Sequence, residues 1–405
     1  MKPELLAPAG DLQKLKVAVL YGADAVYLGG RHFSLRAGAG NFSEKELFEG
    51  VRYAHENGAR VYVAVNIYAR NEDLALLPDY LEMICAAGVD GIIVSDPGVV
   101  DLARRLYPGL PVHLSTQANT TNWATARFWE EQGVSRLILA RELSLEEIKE
   151  IRKKVTAELE IFVHGAMCIS YSGRCLLSNY LAGRDANRGD CTQSCRWRYA
   201  LVEEKRPGEY LPIEEDSRGS YILGARDLCL VEHIPELVKA GINSLKIEGR
   251  MKSVNYVGGI VKVYRQALDA YIKEPENYHP DPAWLEEIGK VSHRRYTTGF
   301  LFGAPGVSGQ HYEGEIYTST HTFIGLVKGY DEKTGMALVE QRNYFAVGDE
   351  VEVLVPRGKN IKQKITALYD EEGNSIKAAP HPQQKVWTPF ERPVSAYSIL
   401  RKINQ

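Results

Sequence analysis

Four cysteines lie within 28 residues, Cys168, Cys175, Cys191 and Cys195, and Cys229 follows shortly after. Thiolates ligate soft metals, either tetrahedral zinc or the irons of a 4Fe–4S cluster on four cysteines. Six residues separate the first pair and three the second, which is not the paired C-x2-C of a zinc ribbon. An iron–sulfur cluster therefore leads, with zinc as the alternative and a metal-free set of small buried side chains as the third reading. That third reading suits isolated cysteines better than four set among Gly, Arg and Asn. Cys85, beside Met83, Ile84 and Ala86 on an apolar helical stretch, reads as core. A Cys–His peptidase could be imagined from Cys168 and His164, but the sequence offers no separate group to orient the histidine.

A second constellation falls at strand ends. In Glu160-Ile161-Phe162-Val163-His164, alternation sets Ile161 and Val163 on one face and Glu160, Phe162 and His164 on the other. In Leu245-Lys246-Ile247-Glu248 the apolar pair should face helices, with Lys246 and Glu248 turned inward. Buried charges are costly unless paired or used, so Glu160, His164, Lys246 and Glu248 are the catalytic candidates. An ion pair of Lys246 with Glu248 or Glu160 is the plainer alternative. Asn66, Asp96, His113, Gln117 and Arg141 also fall at or near strand ends, as expected for a pocket holding a small anionic substrate. Arg141, Arg226 and Arg250 are candidate carboxylate clamps.

A third group is basic. Arg174, Arg184, Arg188, Arg196 and Arg198 against Asp185 and Asp190 give a local +3, with Tyr171, Tyr180, Trp197 and Tyr199 interleaved. Arginines for phosphates and aromatic rings for a splayed base suit single-stranded RNA, with Arg184, Arg188, Arg196 and Trp197 as contacts. A solvated loop tied by Arg–Asp pairs is the competing reading.

These side chains need a frame. From residue 4 to about 275, β-like runs at 4–7, 25–29, 60–66, 91–96, 111–116, 136–141, 158–164 and 244–248 alternate with helix-period runs. The helical stretches are 11–21, 43–56, 72–87, 99–106, 121–132, 144–155, 232–240 and 253–272, with Gly22, Gly58, Gly88, Gly133 and Gly241 as stops. Eight such units predict an α/β fold, a (β/α)8 TIM-like barrel over 1–275. A doubly wound sheet would more often bring a phosphate-binding glycine loop after its first strand, and Pro8-Ala9-Gly10 is not one. Between the last two strands the spacing stretches, and an insertion over about 166–225 carries the cysteines. A linker with a short helix, 276–309, leads to a small C-terminal all-β barrel over 310–405. Its strands are expected at 322–328, 337–341, 350–354, 362–369 and 395–401. The run from Phe345 to Val351 resembles the second domain of translation elongation factors, an RNA-facing module.

Composition excludes much else. With 405 residues, 44% hydrophobic and 25% charged, the chain is globular rather than disordered. A net charge of −3 gives no global field for nucleic acid, so any such surface is local. The sequence has no apolar run of membrane-spanning length, neither a membrane span nor a secretory signal is expected, and its six cysteines are too few for a disulfide scaffold. A cytoplasmic enzyme is expected. The sequence shows no G-x-S-x-G elbow, no H-E-x-x-H and no Walker loop.

Residues Glu160-x-Phe162-x-x-Gly165-Ala166-Met167-Cys168-x4-Gly173-x-Cys175-x-Leu177-Ser178 resemble the signature of the collagenase-like peptidases, family thirty-two of those with unknown catalytic type. The resemblance extends through Leu6-Ala7-Pro8-Ala9-Gly10, Phe33-Ser34-Leu35-Arg36, Ser115-Thr116-Gln117 and Lys246-Ile247-Glu248-Gly249-Arg250, covering nearly the whole chain. The stretch from Gly183 to Trp197 is similar to the branch of tRNA hydroxylation proteins. That likeness implies oxygen-independent formation of 5-hydroxyuridine at the tRNA wobble position, with prephenate as precursor. It also implies a 4Fe–4S cluster on Cys168, Cys175, Cys191 and Cys229, with Cys195 in reserve. Arg36, Asn66, His113, Gln117, Arg141, Arg226 and Arg250 would then line the substrate pocket. A homodimer or paralogous partner fits relatives that work in pairs. The alternatives are a collagenase-like peptidase and a non-catalytic RNA-binding factor with structural zinc.

Overall fold

The computed structural model describes residues 2–34, 41–167, 175–184, 186, 190–196, 200–202, 210–212, 224–305, 310–311 and 317–404. Eight parallel strands close into a barrel: β1 (Glu4–Pro8), β2 (Ala25–Leu28), β3 (Arg60–Val65), β4 (Gly91–Val94), β5 (Val112–Leu114), β6 (Arg136–Ile138), β7 (Glu158–Ala166) and the last barrel strand, Ser244–Ile247. That last strand pairs with both β1 and β7, which completes the ring. The (β/α)8 expectation holds strand for strand.

Local sequence sets the helices between them. Ser43 and Ser144 form capping boxes with Glu46 and Glu147. Asp11, Asp96, Asn122 and Ser253 cap other helices with their side chains. The five glycines read as stops all adopt positive φ, from +75° to +111°.

The excursion after β7 comes back to the barrel. Asp227–Cys229 runs antiparallel to the far end of β7, pairing Asp227 with Ala166 and Cys229 with His164, and Tyr296–Thr297 adds to its outer edge. The barrel therefore carries an extra rim at the end of one strand, on the side where barrel chemistry is built.

The C-terminal domain is all-β, an eight-stranded antiparallel half-barrel; among the described residues its first and last strands do not pair. The run expected as one strand over 362–369 is two, Ile361–Lys364 and Leu368–Tyr369, placed at different positions in the sheet. Lys385–Pro389 is a further strand, with Val386 and Thr388 inward. The sheet packs on the barrel through Leu326, Leu354 and Ile399, which join the barrel core. Tyr21 donates to Leu354 O at 2.8 Å across this junction. Lys290 pairs with Glu352 at 2.9 Å, and Arg401 with Glu287 at 2.6 Å.

Candidate active site

Charge inside the barrel lies in two tiers. At the floor, where strands begin, Arg136 of β6 reaches Glu4 and Glu158 at 2.6 Å and Glu160 at 3.1 Å. Lys246 meets Glu160 at 2.8 Å, Arg60 pairs with Glu4, and the Tyr62 hydroxyl donates to Glu4 at 2.8 Å. Register explains the common height, because Ser244 lies opposite both Glu4 and Glu160. Burial opposes the ionised form of Glu160, but the Lys246 and Arg136 charges outweigh it and hold the carboxyl below the usual carboxylate range. His113 registers with Arg136 and meets the Tyr62 ring edge-on, centroids 4.5 Å apart. Burial, reinforced by the Arg136 charge, pushes its imidazole down to about 3.

At the mouth, where strands end, Arg141, Phe162, Glu248 and Tyr27 come together. The Arg141 guanidinium lies 4.0 Å from the Phe162 ring centroid and 3.9 Å from Glu248, and donates to Ala166 O at 3.3 Å. Tyr27 donates to Ile247 O at 3.0 Å and lies 3.4 Å from Glu248 Oε2. Lys246 bridges the tiers, its ammonium 4.5 Å from the Tyr27 ring centroid. Asn66 Nδ2 and Ser115 Oγ both donate to Gln117 Oε1, at 2.8 and 3.1 Å. An arginine pinned on an aromatic face beside a carboxylate and a phenol can hold a small anion and move a proton next to it. Tyr27 and Phe162 complete this mouth without having been among the candidate site residues. Their strand parity, inward with Ala25 and Glu160 respectively, was the available signal.

The structure corrects the face assigned to His164. Lys246 is opposite Phe162 but Ile247 is opposite His164, so Val163 is an extra residue in β7. Past this bulge His164 leaves the face of Glu160 and Phe162 and meets the helix Val254–Lys273. Its ring lies 5.9 Å from Tyr256, 5.5 Å from Tyr264 and 5.3 Å from Tyr296. Burial pushes it down to about 3. Gly165, at φ +106°, lets the strand continue here, since a Cβ would come within 2.7 Å of Glu248 O.

Arg250 is buried and ties down the loop after β2, donating to Ser34 Oγ at 2.8 Å and Asn41 Oδ1 at 2.7 Å. Arg226 is half-buried beside Asp227, whose carboxylate grips Arg294 at 2.8 Å. Arg184 is exposed and paired with Asp190. Arg36, Arg188, Trp197 and Cys168, and the side chain of Arg196, lie outside the described residues.

Cys229 ends the returning strand, its sulfur 4.0 Å from the Tyr264 hydroxyl, and burial pushes its thiol up to about 11. Cys175 and Cys195 are half-buried and Cys191 is exposed. Among the described residues, no three Cys, His, Asp or Glu side chains gather into a group that could hold a metal ion. The described thiols do not by themselves build a centre.

A paired floor, a polar mouth and an added rim at the end of β7 define a (β/α)8-barrel protein. The chain belongs to peptidase family U32: the family's model matches residues 10–311, and that of the peptidase family U32 C-terminal domain matches residues 319–401. It is 47% identical to tRNA hydroxylation protein P1 of Bacillus subtilis over 99% of this chain and 95% of that one. It is 39% identical to tRNA hydroxylation protein P of Escherichia coli over 99% of this chain and 97% of that one. It is also 33% identical to the 23S rRNA 5-hydroxycytidine C2501 synthase of Escherichia coli, over 98% of this chain and 58% of that protein. The family expected from the sequence is confirmed. Among the described residues, no helix is long and apolar enough to cross a membrane.

Proposed function

We propose that this protein is an RNA-modifying enzyme that hydroxylates C5 of the wobble uridine in tRNA, without molecular oxygen and with prephenate as precursor. The observation that carries the reading is near-full-length similarity to tRNA hydroxylation proteins in a chain whose barrel mouth brings Arg141, Glu248 and Tyr27 together. Similarity to an rRNA 5-hydroxycytidine synthase supports a pyrimidine ring as the target. In this reading Arg141 and Lys246 hold the carboxylates of the precursor. Glu248, steadied by Tyr27, exchanges a proton near the reacting carbon. The Asn66–Gln117 amides line the rest of the mouth. The uridine leaves its stack to enter. A tRNA substrate suits a protein of the cytoplasm.

The cysteine set supports an iron–sulfur cluster on Cys168, Cys175, Cys191 and Cys229, with Cys195 in reserve. Cys229 pairs in register with His164 of β7, and Cys168 comes four residues after His164 in the sequence. Four thiols suit such a cluster, which supplies redox chemistry when bound.

The deciding experiment is nucleoside mass spectrometry of tRNA from a strain lacking this chain and any paralogue. Loss of 5-hydroxyuridine and its derivatives is expected, and restoration by the intact gene but not by a Glu248→Gln copy. Undiminished 5-hydroxyuridine sinks the reading.

A further inference from the structure

We propose that the hairpin joining strands Glu350–Leu354 and Ile361–Lys364 is a docking element for the phosphate backbone of the RNA. The inference deepens the reading above and rests on it. Arg357, Lys359, Lys362 and Lys364 fall within eight residues, and no Asp or Glu occurs between residues 355 and 369. All four are exposed. None makes a side-chain hydrogen bond or ion pair among the described residues, although Glu350 lies across from Lys364 and Glu352 across from Lys362. Glu352 is buried and turned to Lys290 and Arg401. In a chain of net charge −3, four unpaired cations on one hairpin form a strong local field. The exposed Arg184 of the insertion offers less, because Asp190 neutralises it.

The hairpin is also held still. Lys262, on the helix that follows the last barrel strand, donates to Val355 O at 2.8 Å and Asn360 Oδ1 at 2.9 Å. Asn360 in turn donates to Glu287 at 3.1 Å and Glu352 at 3.2 Å. Both ends of the turn are therefore fastened to the barrel, so the four cations keep their spacing relative to it, and less order has to be imposed on binding. Lysines on an edge strand commonly serve only to block pairing with other sheets, and Ile361–Lys364 is such an edge. Arg357 and Lys359 are not in that strand but in the turn, where blocking is not needed. A polyanion accounts for all four.

The test measures binding of an end-labelled, unmodified tRNA transcript by fluorescence anisotropy, with the full chain, over about 50 to 200 mM salt. The variant combines Arg357→Gln, Lys359→Gln, Lys362→Gln and Lys364→Gln. Its affinity is expected to fall at least about tenfold, and its slope of log affinity on log salt to flatten by about 3 to 4, as for four lost phosphate contacts. Neutralising three cations at the far ends of barrel helices, Lys153, Lys154 and Lys239, should leave both nearly unchanged. Unchanged affinity and slope in the hairpin variant overturn the proposal while leaving the function intact. Self-association of the variant with unaltered tRNA affinity also overturns it, in favour of edge protection. If the unaltered protein does not bind tRNA, both readings fall.

Discussion

The floor and the mouth of the barrel are built from similar residues and behave differently. At the floor, Glu4, Glu158 and Glu160 interlock with Arg60, Arg136 and Lys246, and the contacts of Arg136 and Lys246 span 2.6–3.1 Å. At the mouth, Arg141 and Glu248 stand 3.9 Å apart, and the arginine rests on a ring. Acid and base pairs occur in both, so residue type does not tell them apart. Height along the strand does. Glu160 is the third residue of β7, whereas Glu248 follows the last barrel strand. Three short contacts tie Arg136 into the ring of strands, whereas Arg141 and Glu248 stand at the strand ends, the side on which (β/α)8 barrels build their sites.

The most forceful way to break this division is Glu160→Gln. It leaves Lys246 and Arg136 facing a neutral amide, and removing one partner of a buried pair costs about 3–5 kcal/mol. Urea denaturation should show that loss. Full stability with abolished hydroxylation would instead move Glu160 to the working tier. Glu248→Gln should do the reverse, lowering 5-hydroxyuridine about a hundredfold in complementation, within the range for a lost acid–base group, with stability almost unchanged. If both variants lose stability equally, the tiers are one network.

Much of this was legible beforehand. The eight strands follow from alternation and glycine stops, because parallel strands buried on both faces leave long apolar runs between turns. The displaced His164 was not legible. Phe162-Val163-His164 alternates equally well with or without a bulge, and only the partner strand reveals that Val163 has no counterpart. The single strand expected over 362–369 failed for a similar reason. The β-like pattern continues through Ile365, which is buried, yet the chain turns there toward another part of the sheet. The floor–mouth division needs the register of all eight strands at once, which no local window contains. Arg136 illustrates this: its importance lies in reaching Glu4, 132 residues away.

Acid sharpens the comparison next. His113 lies at the height of Arg136 and is held neutral, with its folded value near 3 against 6.5 in a free chain. The unfolded chain therefore takes up a proton on acidification that the folded one refuses. Stability is complete above about pH 6.5 and falls below it, by up to about 1.4 kcal/mol per pH unit until the folded group itself titrates. His113→Phe should flatten that slope in denaturation curves taken between about pH 7 and 5. An identical slope in the variant would mean that water reaches this tier.

The smallest expected effect is the most discriminating, because Tyr27 touches both tiers. Its ring lies under Lys246 and its hydroxyl reaches Ile247 O and Glu248. Tyr27→Phe keeps the ring and removes only the hydroxyl. The cation–ring contact with Lys246 survives, so the floor should hold, with a stability change of about 1 kcal/mol for the lost hydrogen bond. The carboxylate of Glu248 loses a donor, which raises its proton affinity. The pH–activity profile of hydroxylation should then shift upward on its acidic limb, with activity near neutrality reduced only a few-fold. Tyr27→Leu loses the ring as well and should add a stability cost without further moving that limb. If the limb stays fixed in Tyr27→Phe while activity falls, Tyr27 acts on the ligand itself rather than through Glu248.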